Sequence, residues 1–167
     1  CALPISDAGT PGISDPGEEL VRMCRDAGVP VTALPGPVAC VTALTMPGLP
    51  TRRFSFEAFL PADKKERRAI LEELARETRT IVLYEAPHRL VRTLEELAGT
   101  LGESRRVAVC RELTKRHETV FSATLEEAVA HYRHQEPRGE CVLVLEGRAR
   151  RELETDRQKV WLEMRIE

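Results

Sequence analysis

The chain is organised around a loop rich in glycine and proline, residues 6–17, which reads SDAGTPGISDPG. A short apolar run at residues 2–5 precedes it, and the pattern after it predicts a helix over 18–27. Because glycine lacks a Cβ and proline fixes φ, the backbone of such a loop can approach a ligand closely. A strand, a loop of this kind and a helix in succession predict an α/β fold with a ligand site at the carboxyl edge of its sheet.

A purely structural turn is the alternative interpretation of this loop. Asp15 is predicted to be the N-cap of the following helix, with Pro16 at its first position and Glu18 closing a capping box. Loops this rich in glycine and proline at the end of a strand are nevertheless more often sites than connectors. We therefore favour ligand contact for residues 9–14.

The net charge, the apolar runs and the cysteines limit the partners and ligands that the protein is expected to have. The 167-residue chain has a net charge of -2, which excludes a protein that is basic all over and restricts any nucleic-acid contact to a local patch. No apolar run approaches the length of a membrane span, so no membrane partner is expected. The five cysteines show neither a CxxC pair nor a spacing typical of metal ligands. We interpret them as reduced core residues of a cytoplasmic protein without a metal site.

A second loop of the same type, LPGPVA at residues 34–39, lies between a predicted strand at 29–34 and a predicted helix at 38–45. Two such loops after neighbouring strands would lie side by side at one edge of a sheet. The stretch MPGLP at 46–50 breaks the second helix and is typical of a linker. Cys1 lies inside the first apolar run with no element before it, so we expect the first domain to be incomplete.

We predict two α/β units followed by a charged tail. Residues 1–50 form the carboxyl-terminal part of the first unit, residues 51–147 form the second, and 148–167 form the tail, with a helix around Trp161. In the second unit, apolar and alternating patterns predict strands at 54–59, 80–84, 106–110, 118–123 and 141–146. Helices are predicted after Asp63, after Pro87 and after Thr124, the first and last opened by capping boxes. The second unit is thus expected to hold a mixed α/β sheet.

Two polar motifs follow strands of the second unit. The first, YEAPHR at 84–89, places a carboxylate, an imidazole and a guanidinium at the mouth of a strand, although Glu85 and Arg89 also have the spacing of an ordinary helical ion pair. The second, RELTKRHE at 111–118, carries more cations than carboxylates between two strands. A solvated face is the usual explanation of such a run and contact with phosphate is the alternative, and the residues alone leave both open.

Several other chemistries are not indicated by the sequence. It contains no GxxxxGK[ST] P-loop, no GxGxxG fingerprint and no GxSxG nucleophile elbow. The histidines have no evident metal partners, and His131 and His134 are expected on the wet face of a helix.

These motifs, in this order, resemble those of the tetrapyrrole methylase-like (class III) S-adenosylmethionine-dependent methyltransferases. The resemblance is carried by SDAGTPGISDPG at 6–17, LPGPVA at 34–39, YEAPHR at 84–89, RELTKRHE at 111–118 and RGECVLVLEG at 138–147. The first and fourth of these are similar to the RNA-modifying branch of the family. The resemblance implies a two-domain α/β enzyme, usually a homodimer, with S-adenosyl-L-methionine in the cleft between its domains. The family's first strand and leading glycine loop are missing here, and its carboxyl-terminal extension is short.

The resemblance also implies which residues face that cleft. The cofactor would be lined by Gly9, Thr10, Pro11, Ile13, Ser14, Val38 and Ala39, and from the second domain by Tyr84, Leu113 and Thr114, with Glu85 also facing the cleft. The RNA-modifying branch methylates the 2′-hydroxyl of a cytidine in 16S rRNA. The implied partner is therefore the small ribosomal subunit.

Methyl transfer to a ribose hydroxyl needs in-line alignment and help in removing a proton, because the hydroxyl is a poor nucleophile. The expected catalytic residues are Glu112 and Lys115, with Glu85 behind them. The residues expected to position phosphates are Arg89, Arg111 and Arg116. Two alternatives stay open: a chain that binds RNA or the ribosome without catalysis, and an enzyme that methylates a tetrapyrrole.

Overall fold

The computed structural model describes residues 9–135 and 137–149. Within them the chain forms α1 (Glu18–Asp26), α2 (Ala39–Leu44), β1 (Phe54–Phe59), α3 (Lys64–Leu74), β2 (Thr80–Glu85), a 3-10 turn (Pro87–Arg89), α4 (Leu90–Leu101), β3 (Arg106–Arg111), β4 (Thr119–Thr124), α5 (Leu125–His134) and β5 (Cys141–Leu145). The predicted first strand at 2–5 and the predicted helix around Trp161 lie outside the described residues. None of the described helices is long and apolar enough to cross a membrane.

The five strands form one sheet in the order β1-β2-β5-β3-β4. β1 is parallel to β2, while β5 is antiparallel to both of its neighbours, β2 and β3, and β4 is antiparallel to β3. The predicted mixed α/β sheet is confirmed. Since β1, β2 and β3 run in the same direction, their carboxyl ends meet at one edge of the sheet.

Both faces of the sheet are covered, which explains why its central strands are apolar throughout. β5 is buried along its whole length, and β2 and β3 nearly so. One face packs against α3, α4 and α5, whose inward leucines include Leu71, Leu94 and Leu125. The other face packs against α2 through Ala43 and Leu44. Continuous apolar runs are expected of strands that are buried on both faces.

The cysteines are free thiols wherever the structure describes them. Cys40, Cys110 and Cys141 are buried, and Cys24 is partly exposed. Burial raises the pKa of the Cys110 and Cys141 thiols to about 11, so both are neutral at physiological pH. The prediction that these cysteines belong to the core is confirmed for the three buried residues.

Residues before α2 depart from the sequence expectation. The predicted strand at 29–34 is wrong, because this stretch pairs with no strand among the described residues and stays irregular and exposed. A strand forms only where it can hydrogen-bond to another strand. An apolar sequence pattern does not show whether such a partner strand is present. α1 forms where predicted, but none of its residues is buried.

The sequence predicted N-terminal caps for α5, α3 and α1, and the structure contains the first two. The capping box at Thr124 is confirmed: its hydroxyl accepts a bond from the Glu127 amide at 3.2 Å, and the Glu127 carboxylate accepts one from the Thr124 amide at 2.9 Å. Asp63 caps α3 by accepting bonds from the amides of Lys65 and Glu66, but the predicted capping box is wrong there, because the Glu66 carboxylate does not bond back to the Asp63 amide. The predicted Asp15 cap of α1 is wrong, because Gly17 takes that position at φ 137°, a conformation that glycine adopts readily, and no side chain caps the helix.

Thr124→Ala should lower the free energy of unfolding by about 1 kcal/mol, because it leaves the first amides of α5 without their acceptor. Denaturant unfolding followed by circular dichroism measures the loss. Ser104→Ala, in the exposed turn before β3, is the matched control and should change stability by less than about 0.5 kcal/mol. Equal values for the two variants would contradict the assigned cap.

Candidate functional site

The two polar motifs of the second unit meet at one edge of the sheet. Glu85, the last residue of β2, and Arg111, the last residue of β3, both pair in register with Cys141 at the start of β5. The segments 84–89, 111–118 and 138–140 therefore lie next to one another. We call these three segments together the carboxyl edge.

The helix α2 brings the second glycine-rich loop to the carboxyl edge. The backbone amide of Cys40 donates a hydrogen bond to the Tyr84 hydroxyl at 3.1 Å. Val38, Tyr84 and Leu113 pack against the same apolar cluster beneath α2. Burial of the phenol, together with its interaction with Cys40, raises the pKa of Tyr84 to about 12, so its hydroxyl stays protonated. Val38, Tyr84 and Leu113 were predicted from separate motifs to line the cofactor, and the structure places them together. Ala39 lies next to them at the start of α2.

The first glycine-rich loop lies against the second, as expected. The Thr10 amide donates to the Pro37 carbonyl at 2.9 Å. A Cβ on Gly36 would meet the Thr10 hydroxyl at 2.9 Å, and one on Gly9, which has φ 79°, would meet the Pro37 carbonyl at 2.6 Å. The two glycines are therefore required by the close approach of the loops, although residues 29–34 form no strand that would explain it.

The rest of the first loop is open to solvent. Ile13 is 42% exposed, and Ser14 has a φ of 57°, in the left-handed region that non-glycine residues rarely adopt. Pro11 is half-buried between Thr10 and this exposed tip. The loop thus offers an apolar side chain and backbone groups next to residues 34–39.

Glu85 is enclosed by partners from its own chain. Its carboxylate accepts hydrogen bonds from the Ala86 amide at 2.8 Å and the Thr93 hydroxyl at 2.6 Å, and its side chain is 1% exposed. Arg89 Nε lies 2.9 Å from Oε1, although its N–H is not aligned with an acceptor. These contacts favour a role in holding the 85–89 turn over proton transfer to a substrate.

Arg67 of α3 connects this carboxylate to two helices, and sequence reasoning missed it. Its guanidinium donates to Thr93 Oγ1 at 2.7 Å and to Glu96 Oε2 at 2.5 Å, and it lies 4.0 Å from Glu85. The residue is only 6% exposed. Nothing in the local pattern separates it from the neighbouring Arg68, since both stand in the same charged run of an amphipathic helix.

The segment 111–118 is a compact turn whose residues 114–118 are exposed to solvent. The Lys115 amide donates to the Glu112 carbonyl at 3.0 Å, and the Thr114 amide donates to the Glu118 carboxylate at 2.6 Å. Glu112 and Thr114 both have positive φ values, 50° and 61°. Such strained non-glycine residues cost energy and cluster at functional sites. The turn is thus a strained feature placed at the carboxyl edge.

Glu112, Lys115 and Glu140 form an ionic triad on this turn. Lys115 Nζ lies 3.3 Å from Glu112 Oε1 and 2.9 Å from Glu140 Oε2. Glu112 Oε1 also accepts a hydrogen bond from the Glu140 amide, and this bond together with Lys115 lowers the pKa of the Glu112 carboxyl. The carboxylates of Glu140 and Glu112 raise the pKa of Lys115. At neutral pH the triad therefore presents a protonated lysine held between two carboxylates.

Gly139 and Glu140 are site residues that the sequence analysis did not single out. A Cβ on Gly139 would lie within 2.5 Å of three side-chain atoms of Glu112, so only glycine allows the carboxylate to occupy its position. Gly139 also has a φ of 78°. The sequence signal was the turn Arg-Gly-Glu before β5, whose contact with residue 112 is visible only in three dimensions.

The three arginines expected to bind phosphate differ in availability. Arg111 donates from Nε and Nη2 to the Arg138 carbonyl, at 3.1 and 2.8 Å. Arg89 is held beside Glu85. Arg116 is exposed and has no ionic or hydrogen-bond partner within the part of the chain that the structure describes. In the same part of the chain, no group of three or more His, Cys, Asp or Glu side chains is arranged to hold a metal ion.

Comparisons with known sequences identify the family of the chain. The sequence profile of the tetrapyrrole (corrin/porphyrin) methylases matches residues 5–129. Relatives called ribosomal RNA small subunit methyltransferase I are 50% identical over 143 residues in Synechocystis sp. and 51% identical over 145 residues in Escherichia coli O157:H7. Each match covers 86% of this chain and 51% of the relative. The chain thus spans about half the length of the curated relatives it matches.

Solved structures show the same fold at lower identity. The methyltransferase CobJ has a TM-score of 0.65 and 20% identity, over 84% of this chain and 62% of that one. Uroporphyrin-III C-methyl transferase from Thermus thermophilus, complexed with S-adenyl homocysteine, has a TM-score of 0.56 and 24% identity, over 81% and 62% of the two chains. At these identities, the two structures show only that the fold is similar.

Arg67→Ala should lower the free energy of unfolding by about 3 kcal/mol, because it removes the cation from a buried pair and leaves a carboxylate partly uncompensated. Arg68→Ala is the matched control, since the adjacent side chain is 82% exposed. The control should lose less than about 0.5 kcal/mol in the same urea titration. Similar losses for the two variants would contradict the role assigned to Arg67.

Proposed function

Because the chain belongs to the tetrapyrrole methylase family, we propose that it carries out S-adenosylmethionine-dependent methylation of ribosomal RNA of the small subunit. The single observation that carries the proposal is the identity of about 50% to relatives named for that activity. Solved tetrapyrrole methyltransferases share the fold at only 20–24% identity. Since the chain spans about half of those relatives, the activity is proposed for the whole protein.

The cofactor proposed for the site is S-adenosyl-L-methionine, which supplies the methyl group when bound. The proposed contacts are Gly9, Thr10, Pro11, Ile13, Ser14, Val38, Ala39, Tyr84, Leu113 and Thr114. Gly9 and Gly36 let the two loops lie side by side, and the space beside Gly12 is open, which suits contact of the loop backbone with a polar ligand. The apolar surface of Val38 and Leu113 beside the Tyr84 ring suits the flat, apolar part of a nucleoside.

The proposed acceptor is the 2′-hydroxyl of a cytidine in 16S rRNA. Lys115 is the proposed electrostatic group, since its raised pKa keeps it protonated and a nearby cation lowers the pKa of a hydroxyl. Glu112, ionised and fixed by the Glu140 amide, is the proposed acceptor of the hydroxyl's hydrogen bond. Its lowered pKa makes it a weak base, so orientation is the larger part of its contribution.

Glu85, expected from the sequence to support catalysis, is proposed as a positioning residue instead. Its buried carboxylate fixes the turn that follows Tyr84 through Thr93 and Arg89. Arg116 is the proposed phosphate contact at this edge, because it is exposed and unengaged by the described residues. Arg89 and Arg111 are proposed to contribute charge from more fixed positions.

Methylation of a tetrapyrrole is the second candidate, favoured by the folds of the solved neighbours. The two substrates differ in how they respond to salt. RNA binding weakens steeply as salt rises because phosphate contacts release counterions, whereas binding of a small macrocycle does not. We also propose a homodimer that works in the cytoplasm, as the resemblance implies, and light scattering of the purified protein tests the dimer.

Calorimetric titration of the protein with S-adenosylmethionine should give saturable one-site binding, because the two loops and α2 supply the proposed pocket. Small ribosomal subunits that lack the modification should then accept a labelled methyl group. Ribosomal RNA that stays unlabelled, while a uroporphyrin or precorrin is methylated, would overturn the proposed substrate. A chain that binds small subunits without any transfer would support the non-catalytic alternative.

Lys115→Ala and Glu112→Gln should each slow methyl transfer by about 10²-fold while leaving affinity for S-adenosylmethionine unchanged, because both act on the acceptor hydroxyl. Single-turnover kinetics separates the two readouts. Lys65→Ala and Glu72→Gln, on the exposed side of α3, are matched controls that should keep the wild-type rate. Unchanged turnover in both site variants would refute these roles.

A further inference from the structure

The edge of the sheet opposite the carboxyl edge is rich in arginine. Phe54, Thr80 and Arg106 begin three strands there, and β5 ends beside them, since Leu145 pairs with both Ile81 and Val107. Arginines stand at these strand ends or in the turns that lead to them. We call the following residues the arginine edge: Arg52, Arg53, Arg76, Arg79, Arg105, Arg106 and Arg148.

Four members of the arginine edge are available to a ligand. Arg52, Arg53, Arg76 and Arg106 are exposed, and none of them makes an ion pair or side-chain hydrogen bond with another described residue. At the carboxyl edge, by contrast, most cations are engaged, as the contacts of Lys115 show. Four exposed guanidinium groups therefore lie away from the proposed reaction centre, in addition to Arg116, which lies at it.

The carboxylates near the arginine edge only partly offset its charge. Glu77 is paired with Arg79, whose hydrogen bonds lower the pKa of the Glu77 carboxyl to about 2. Glu127 is held in the capping box of α5. The other carboxylates near this edge are those of Glu57, which interacts with Arg79, and of Glu103, Glu126 and Glu146, so seven arginines face six glutamates in a chain with a net charge of -2. The positive charge is thus local to this edge.

A cavity adjoins one end of the arginine edge. It has a volume of about 280 Å³ and is lined by Arg106, by the apolar side chains of Pro47 and Leu49, and by the hydroxyl groups of Ser122 and Thr124. Glu127 also lines it, with its carboxylate held in the capping box of α5. A cation next to apolar and hydroxyl-bearing walls suits a nucleotide, which presents a phosphate, a ribose and a flat base. The cavity lies at the opposite end of β3 from Arg111, so it does not belong to the carboxyl edge.

We propose that the arginine edge binds phosphate groups of the RNA substrate at a distance from the nucleotide that is methylated. This inference rests on the proposed function, because it takes ribosomal RNA as the substrate. Neighbouring strands lie about 4.8 Å apart, so guanidinium groups at successive strand ends form a row that an extended phosphate backbone can follow. Guanidinium is the side chain best suited to phosphate, because its planar fork donates two parallel hydrogen bonds. Such contacts position the RNA without reading its sequence.

The test compares two triple variants with the same change of charge. The first is Arg52→Gln, Arg53→Gln and Arg106→Gln, and the control is Arg25→Gln, Arg68→Gln and Arg133→Gln, on exposed helix surfaces. Affinity for 16S rRNA in small subunits is measured over a series of KCl concentrations. The first variant should lose about tenfold or more in affinity, and its slope of log K against log salt should fall by about 2 to 3. Its affinity for S-adenosylmethionine should match the wild type.

The possible outcomes distinguish failure of this inference from failure of the proposed function. A salt slope for the first variant equal to that of the control, with wild-type protein binding and methylating small subunits, would overturn the inference while leaving the proposed function intact. Wild-type protein that neither binds nor methylates small subunits would refute the proposed function, and the inference with it. A first variant with reduced S-adenosylmethionine affinity as well would also overturn the inference, because the arginine edge would then act on the pocket rather than on RNA.

Discussion

The antiparallel insertion of β5 between β2 and β3 is the constraint on which the candidate site depends. Because Cys141 pairs with both Glu85 and Arg111, two motifs separated along the chain end at adjacent points of one edge. The turn before β5 arrives at the same place and supplies Gly139 and Glu140. Without β5 in this position, no strand would join β2 to β3, and the segments 84–89 and 111–118 would lose their common partner.

Two polar clusters then fix the geometry of that edge from either side. Beneath it, the buried carboxylate of Glu85 is satisfied by Thr93 and lies close to Arg67, which ties the end of β2 to α3 and α4. Above it, Lys115 is held between two carboxylates on a strained turn. The buried cluster is costly to disrupt because its charges are removed from water, whereas the exposed triad is screened by solvent and can respond to a bound substrate.

The net charge of the chain does not show where its arginines lie in the structure. The chain is slightly acidic overall, yet Arg89 and Arg111 are engaged at the carboxyl edge, whereas Arg52, Arg53, Arg76 and Arg106 are exposed at the opposite edge. Phosphate binding of the kind proposed needs only such a local row of cations, because screening limits the reach of distant carboxylates to about 10 Å at 0.1 M salt. A net charge near zero is thus compatible with an RNA substrate.

The sequence by itself determined the strands and helices of the sheet unit, because apolar runs, capping residues and glycine–proline breaks are local signals. It also determined the family, through motifs such as SDAGTPGISDPG. Only the tertiary structure decided that Arg67 is buried while Arg68 is exposed, that Gly139 makes room for Glu112, and that residues 29–34 form no strand. These outcomes depend on which distant segment lies alongside each residue, and neither propensity nor periodicity along the chain carries that information.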